Sequence, residues 1–230
     1  MQSPPAIVRE LRADERALQA ALAVWGGRGG VPHTVVTLAG RRQALIRSVG
    51  AKPALAAAVI RLAPNERDDL QARLDLGKLS AKSPPLKAPI RIGKPAPASQ
   101  LVAWYREAQA RFGIRWQLLA AINFVESAFN KVRNTSTAGA QGPMQFLPAT
   151  WRRYGLGGNV HDPHDAILGA ANYLRASGGV HDARRALLAY NHSPLYVDAV
   201  IHLAHRIRAV PTAFLEYYSW RVYVKRAAGP

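Results

Sequence analysis

The chain has 230 residues, 49% of them hydrophobic, and contains no cysteine. This length allows one well-packed domain and a smaller appendage, and the lack of cysteine excludes disulfides, thiolate nucleophiles and cysteine-based metal sites. The net charge of +17 favours polyanionic partners, although charge alone does not separate nucleic acid, anionic lipid and a phosphate-bearing cell wall. No zinc-finger spacing or RNA-recognition motif accompanies the charge, so we expect no nucleic-acid partner.

The first third of the chain shows two helical patterns. Apolar residues recur at helical spacing over residues 6–25 and 53–76. A glycine-rich break at residues 26–30 follows the first pattern, and residues 34–38 fit either a short strand or the start of a helix. The sequence therefore predicts an α-helical N-terminal region of unknown role over residues 1–79.

A proline-rich stretch at residues 80–99 separates this region from the rest of the chain, and we interpret it as a linker. Beyond it, helical patterns are separated by glycines and prolines, and strong period-2 alternation is absent. We therefore predict a mainly α protein in which residues 100–230 form the larger domain. The patterns in this domain cover residues 100–112, 115–127, 148–154, 165–177, 182–190 and 194–210.

The sequence shows no sign of a membrane anchor. No apolar run approaches the roughly 20 residues that cross a bilayer. Residues 1–5 lack the basic and apolar regions of a signal peptide. We expect a protein that does not span a membrane and that is a monomer.

Glu126 lies on the apolar face of the pattern at residues 115–127. It follows Ile122 by four residues and Leu119 by seven, so its carboxyl is expected to point along the buried side of the helix. A carboxylate in that position either has a partner, as in a structural ion pair, or has its pKa raised toward the range useful for proton donation. This helix alone leaves both interpretations open.

A glycine-rich loop follows at residues 136–151. Its glycines permit close approach of the backbone to a ligand. Met144 and Phe146 offer apolar contacts, and Gln145 supplies both a donor and an acceptor, which suits amides and hydroxyls. Such a loop could line a sugar-binding cleft.

Four short motifs resemble, in the same order, those of the soluble lytic transglycosylases, which have a goose-type lysozyme fold. They are ESAFN at 126–130, AGAQGPMQ at 138–145, LPAT at 147–150 and AYN at 189–191. The resemblance covers about residues 100–210 and implies a lysozyme-like α-helical domain. It also implies cleavage of the β-1,4 glycosidic bond between MurNAc and GlcNAc in peptidoglycan.

The resemblance further implies where the protein works and what it binds. The expected partners are the glycan strands of peptidoglycan and, through the positive charge, anionic cell-wall polymers. We expect an extracytoplasmic protein whose signal sequence is not present in this chain. No cofactor is expected.

Site residues follow by the same resemblance. The glutamate of the first motif is the acid and base of the family, which implies that role for Glu126. The positions that line the saccharide groove in family members correspond to Ser136, Met144, Gln145, Tyr173, Tyr190 and Asn191. The chain departs from the family at Lys131, where proline is usual, and at residues 192–194, where His-Ser-Pro replaces the common Ala-Gly continuation.

The number of carboxylates bears on the mechanism. Ordinary glycosidases use two, about 5 to 9.5 Å apart. Asp162 precedes a proline, and we interpret it as a structural cap rather than a second catalytic acid. With Glu126 alone, the resemblance implies internal capture of the sugar and a 1,6-anhydromuramic product. A hydrolytic muramidase with an unrecognised base and a non-catalytic cell-wall-binding module remain as alternatives.

Two histidine pairs have a spacing that places both rings on one side of a helix. The pairs are His161 with His164 and His202 with His205. No acid or third ligand is placed with either pair in the sequence, and zinc sites need three or four ligands. We therefore predict no metal site.

Overall fold

Helices form nearly all the regular structure in the computed structural model, which describes residues 2–83 and 89–223. Within those ranges only one 3-10 turn and two isolated β-bridges accompany the helices, which confirms the mainly α class. In chain order they are α1 (Pro4–Trp25), α2 (His33–Gly50), α3 (Pro53–Leu62), the 3-10 turn Pro64–Glu66, α4 (Arg67–Lys82), α5 (Ala98–Phe112), α6 (Trp116–Ser127), α7 (Pro148–Tyr154), α8 (Pro163–Ala176), α9 (Ala183–Tyr190), α10 (Pro194–Ala209) and α11 (Ala213–Ser219).

The N-terminal helices follow the predicted pattern with two differences. Residues 34–38 belong to the start of α2 and not to a strand. The pattern predicted over residues 53–76 is divided at Pro64, which has no backbone N–H to continue the hydrogen bonding of α3. After the 3-10 turn, α4 continues to Lys82, and so extends into the predicted linker.

Part of the predicted linker, residues 84–88, lies outside the described residues. From Pro89 to Pro97 the chain has no helix, and Ile92 forms an antiparallel β-bridge with Val132 in the loop after α6. The described part of the linker is therefore bound to the domain that follows it.

α6 occupies the centre of the C-terminal helices and packs against α5, α8, α10 and α11. Its residues Leu119, Ala120, Ala121 and Ile122 are completely buried. A helix with apolar side chains on so many sides requires neighbours all around it, and these four helices supply them. The central packing fixes the position of the helix that carries Glu126.

The N-terminal helices contribute to two buried clusters, one of their own and one shared with the C-terminal helices. Leu18 of α1, Val35 of α2 and Ala72 of α4 belong to the same buried cluster as the residues of α6. The most extensive helix pairing in the described residues joins α4 to α10. The domain boundaries stay a prediction, but the shared cluster indicates that residues 2–79 pack against the C-terminal helices.

A buried ionic network also joins the two halves. Arg42 of α2 contacts Glu66 at 2.9 Å and Asp69 at 2.8 Å, both near the start of α4, and Glu216 of α11 at 2.8 Å. Arg206 of α10 lies 3.4 Å from Asp69. All five side chains are buried. We call Arg42, Glu66, Asp69, Arg206 and Glu216 the Arg42 network.

No helix within residues 2–83 or 89–223 has the length and apolar character needed to span a bilayer.

Candidate active site

Glu126 lies in the last turn of α6 and faces a tyrosine hydroxyl instead of a cation. Tyr196 of α10 donates a hydrogen bond of 2.7 Å to Glu126 Oε1. Among the described residues no lysine, arginine or histidine forms an ion pair with this carboxylate. Burial raises the pKa of Glu126 to about 7, and the hydrogen bond from Tyr196 opposes that rise. The side chain can therefore both donate and accept a proton near neutral pH.

The turn after α6 holds the glutamate at the end of its helix. Ala128, Phe129 and Asn130 all have left-handed backbone angles, with φ of 50°, 63° and 66°. Such angles are unfavourable for residues with a Cβ atom. The side chain of Phe129 is completely buried, and the Asn130 amide donates to Ser127 Oγ at 2.8 Å. Packing and this hydrogen bond offset the cost of the turn.

The glycine-rich loop is attached directly to α6. The carbonyl oxygen of Pro143 accepts hydrogen bonds from Ser127 Oγ at 2.6 Å and from Asn123 Nδ2 at 2.9 Å. Tyr105 of α5 donates to Asn123 Oδ1 at 2.6 Å and so fixes the orientation of that amide. The loop is therefore attached to α6 at Ser127, the residue next to Glu126.

Gly142 allows the loop to pass close to a neighbouring backbone. Its φ is 75°, and a Cβ atom at this position would lie 1.9 Å from the carbonyl oxygen of Val160. No other residue fits here without moving one of the two backbones. Gln141 and Phe146 exchange both backbone hydrogen bonds at 2.9 Å, which closes the loop between them.

Tyr190, from the predicted groove, lies within electrostatic range of Glu126. Burial raises the pKa of Tyr190, and the charge on Glu126 raises it further, which places the two groups within electrostatic reach. The Tyr190 hydroxyl donates to the carbonyl oxygen of Met144 at 2.6 Å. The Tyr173 ring lies 5.6 Å from the Tyr190 ring, and its hydroxyl donates to the carbonyl oxygen of Ala189 at 2.8 Å.

Met144 differs from the prediction. It was expected to line an open groove with its apolar side chain, but that side chain is completely buried in the core. The short anchored loop turns the side chain inward and leaves the carbonyl oxygen to hold Tyr190. Met144 contributes to the site through its backbone.

Gln145 and Ser136 both brace the glycine-rich loop. Gln145 has a φ of 49°, and its Nε2 donates to the carbonyl oxygens of Gly142 at 2.9 Å and Asn134 at 3.2 Å. Ser136 Oγ accepts a hydrogen bond of 2.9 Å from the Ala140 amide. Gln145 remains only partly buried, so its side chain is also open to contact with a ligand.

Asn191 ends α9 and begins the connection to α10. Its Oδ1 accepts a hydrogen bond of 3.2 Å from the Ser193 amide, and no described contact joins it to Glu126. Pro194 starts α10 immediately afterwards. The departure from the family at residues 192–194 therefore forms the turn that brings Tyr196 to the glutamate.

Tyr196 is a residue of the candidate site that the sequence analysis missed. It lies outside the resembling motifs and 70 positions from Glu126, so no local spacing connects the two. One signal was available. A tyrosine on the apolar face of a helix needs a hydrogen-bond partner for its hydroxyl, and a nearby buried carboxyl is a suitable acceptor.

Three other acidic residues of the C-terminal half have structural partners. Asp162 caps α8 by accepting hydrogen bonds from the amides of His164 at 2.8 Å and Asp165 at 3.1 Å, as predicted. Asp182 caps α9 in the same way. Glu107 pairs with the His164 ring at 2.8 Å. None of these carboxylates has a described contact with Glu126.

Lys131 ties the loop after α6 to the C-terminal segment. Its Nζ donates to the carbonyl oxygens of Tyr218 at 2.5 Å and Trp220 at 2.7 Å. Burial lowers the pKa of Lys131 to about 8. Lysine in place of the usual proline therefore gives this chain a connection between its active-site turn and α11.

The second histidine pair has an acidic partner that the sequence did not reveal. Asp68 of α4 faces His202 Nδ1 at 2.9 Å and His205 Nδ1 at 2.5 Å. Within the described ranges no group of three histidine, cysteine, aspartate or glutamate side chains has the geometry of a metal site.

Comparison with known proteins links the middle of the chain to one family. The family described as Transglycosylase SLT domain matches residues 104–206. The chain is 30% identical over 132 residues to membrane-bound lytic murein transglycosylase F of Thiobacillus denitrificans, covering 54% of this chain and 28% of that relative. It is 39% identical over 85 residues to the transglycosylase of Enterobacteria phage PRD1, covering 36% and 31%.

The chain is also 32% identical over 96 residues to a second relative, membrane-bound lytic murein transglycosylase F 1 of Alkalilimnicola ehrlichii. The match covers 38% of this chain and 19% of that relative. The chain thus spans less than a third of the length of the relatives it matches. No solved structure matches it.

Proposed function

We propose that the chain is a peptidoglycan lytic transglycosylase, because its residues 104–206 match the transglycosylase SLT domain. The family match and the helical architecture agree with the lysozyme-like α-helical domain expected from the sequence. The proposed reaction cleaves the β-1,4 bond between MurNAc and GlcNAc, with Glu126 as the single acid and base. The observation that carries the proposal is a partly buried glutamate with a raised pKa whose partner is a neutral hydroxyl.

In the first step Glu126 acts as an acid. With a pKa of about 7, a large fraction of the side chain is protonated at neutral pH. Its proton passes to the glycosidic oxygen, the bond to C1 of MurNAc breaks, and the GlcNAc portion leaves with a hydroxyl at C4. The neighbouring acetamido group of MurNAc stabilises the positive charge that develops at C1, an arrangement known for single-carboxylate glycosidases.

In the second step the same side chain acts as a base. The Glu126 carboxylate removes the proton from the C6 hydroxyl of MurNAc, and the C6 oxygen forms the new bond to C1. The product is a 1,6-anhydromuramic end, and Glu126 is again protonated. Water takes no part in the overall reaction.

Tyr196 is proposed to orient the glutamate for both steps. Its hydrogen bond occupies Oε1, so Oε2 is the oxygen that faces the substrate. The hydroxyl also stabilises the carboxylate formed after the first step. Tyr173, Tyr190, Gln145 and Asn191 are proposed to contact the saccharide, whereas Ser136 and Met144 shape the groove through the loop backbone.

Localisation and partners follow from the substrate. A protein that cleaves peptidoglycan acts outside the cytoplasm, on glycan strands. The charge of +17 is expected to increase adsorption to anionic wall polymers. We propose that the protein works there as a monomer.

Mass analysis of the products tests the proposed reaction. Purified sacculi are incubated with the protein in ¹⁸O-labelled water, and the released muropeptides are weighed. We expect anhydro products, one water lighter than hydrolysed ends and free of label. Labelled reducing ends would instead identify a hydrolytic muramidase. Binding to sacculi without any release would identify a non-catalytic cell-wall module.

A further inference from the structure

A concave surface lies between the segment before α5 and the loop after α6. Its volume is about 450 Å³. We call it the Lys94 pocket, and its lining includes Lys94, Trp104, Asn130, Arg133 and His161. Lys94 lies outside the residues matched by the family, so the pocket is not formed by that domain alone.

The pocket is built by backbone pairing of the two segments. The Gly93 amide donates to the carbonyl oxygen of Lys131 at 2.8 Å, and the Arg133 amide donates to that of Arg91 at 3.0 Å. Asn134 Oδ1 accepts a further hydrogen bond of 2.7 Å from the Arg91 amide. These bonds fix residues 91–94 against the loop that follows Glu126.

The guanidinium of Arg133 is held in a defined position. Its Nη2 donates to the carbonyl oxygen of Lys94 at 2.9 Å. The group lies directly over Gly93, where a Cβ atom would be 2.0 Å from Arg133 Nε. Glycine at residue 93 therefore makes room for this cation.

The charges of the pocket are unbalanced. The lining contains no aspartate or glutamate, and neither Lys94 nor Arg133 forms an ion pair with a described carboxylate. Arg91 adds a third cation, because its Nη2 donates to the carbonyl oxygen of Arg133 at 2.7 Å. Trp104 supplies a partly buried aromatic wall. Cations beside an apolar surface suit a carboxylate carried on a small organic group.

The pocket is connected to the candidate active site through shared segments. Asn130 lies four residues after Glu126 and is bonded to Ser127. Gly142, which also lines the pocket, precedes the Pro143 carbonyl that is bonded to α6. We therefore consider a substituent of a glycan strand bound at Glu126 as the occupant of the Lys94 pocket.

We propose that the Lys94 pocket binds a carboxylate of the peptide stem attached to muramic acid, and that it makes the enzyme prefer peptide-bearing strands. This inference rests on the proposed function. The sugars of the strand present hydroxyls and acetamides, whereas the stem presents carboxylates, and Lys94 and Arg133 provide the complementary charge. His161 and Asn130 supply further polar contacts.

Binding measured by calorimetry tests the proposal without requiring turnover. Two probes are compared, a GlcNAc–MurNAc disaccharide with a tetrapeptide stem and the same disaccharide without the stem, on protein carrying Glu126→Gln. We expect tighter binding of the peptide-bearing probe. Adding Lys94→Gln should weaken that binding about tenfold, as for the loss of one charge-assisted contact, and leave the peptide-free probe unchanged.

Arg9→Gln is the matched control, because it removes one positive charge from an exposed position on α1 that does not line the pocket. It should leave both affinities unchanged. Lys94 has no side-chain hydrogen bond in the described residues, so its replacement should not disturb the fold. Arg133→Gln should repeat the effect, and circular dichroism checks that this variant is folded.

Equal affinity of the starting protein for the two probes would overturn the proposal. So would an unchanged preference in Lys94→Gln, or tighter binding of a glycerol phosphate polymer than of the tetrapeptide. These outcomes are separate from failure of the proposed function. If the protein releases no anhydro product but binds the stem through Lys94, the proposed activity is wrong and the proposed role of the Lys94 pocket stands.

Discussion

Glu126 and Glu216 are two glutamates with the same raised pKa and different surroundings. Burial raises the pKa of each to about 7. Glu126 has one partner, the neutral Tyr196, and is partly exposed. Glu216 is almost completely buried, contacts Arg42, and shares the Arg42 network with other carboxylates.

The comparison teaches that a raised pKa does not by itself identify a catalytic acid. A buried structural network can produce the same value, because desolvation acts on any carboxyl that leaves water. What differs is access and the kind of partner. Glu126 can exchange its proton with a ligand, whereas the proton of Glu216 is enclosed among fixed charges.

The largest expected difference between the two glutamates is in turnover after each is replaced by glutamine. Glu126→Gln cannot protonate the leaving oxygen or act as a base, so release of muropeptides should fall about 10³-fold or more with the fold intact. Glu216→Gln keeps an acceptor for Arg42, and turnover should stay within a few-fold. An active Glu126→Gln variant beside a folded but inactive Glu216→Gln variant would reverse the assignment.

Removing the cation of the Arg42 network should cost stability rather than chemistry. Arg42→Met leaves Glu66, Asp69 and Glu216 buried without their main partner, and such a loss typically costs about 3–5 kcal/mol. Urea denaturation of the variant and of the exposed control Arg9→Met measures the difference. Equal midpoints for the two variants would show that the network adds little and would support an independent N-terminal appendage.

The pH dependence of stability should expose the cost of both glutamates. A glutamate whose folded-state pKa is raised above the ordinary value of 4.5 contributes its full stabilisation below about pH 4.5. This contribution is lost as the pH rises through about 7. Between about pH 4.5 and pH 7 the free energy of unfolding should therefore fall by about 1–3 kcal/mol less in Glu216→Gln than in the starting protein. A decline identical to that of the starting protein would contradict the shift.

Tyr196→Phe should alter the pH profile of the reaction more than its maximum rate. The hydrogen bond lowers the pKa of Glu126, so its removal should raise that pKa further above 7. Because the first step needs the protonated acid, the loss of kcat/KM on the alkaline side should move to higher pH. The maximum should fall only several-fold. Tyr173→Phe, which loses a bond to a backbone carbonyl, is the control and should leave the midpoint unchanged.

Asp162→Asn should have the smallest effect. The side chain caps α8 through two backbone amides, and the loss of its charge should cost about 1 kcal/mol of stability or less. Turnover should remain within a few-fold. A folded Asp162→Asn variant without activity would point to a second catalytic carboxylate and to hydrolysis.

The sequence predicted those parts of the molecule that depend on local order. Glu126 lies on the apolar face of α6, the cap at Asp162 starts α8, and glycines divide the helices where expected. Motif order led to the glycine-rich loop, although it did not show that Met144 would turn inward. These features are determined by residues a few positions apart, which periodicity and turn chemistry describe.

Features that depend on distant residues were not predicted. The partner of Glu126 comes from α10, and the acid between the two histidines comes from α4. The proline-rich stretch suggested separate domains, but the chain folds back so that α4 packs along α10. No periodicity within a segment shows which other segment will cover it, so these contacts required the structure.

The left-handed turn after α6 makes the position of Glu126 depend on a distant helix. Its three unfavourable residues are stabilised by the burial of Phe129, whose ring contacts Phe214 and Tyr218 at centroid distances of 5.4 and 6.1 Å. Both belong to α11. Without that helix the turn would keep the hydrogen bond between Asn130 and Ser127 but lose much of the burial that offsets its strained backbone. The position of Glu126 therefore depends on the packing of α11, a helix far from it in the sequence.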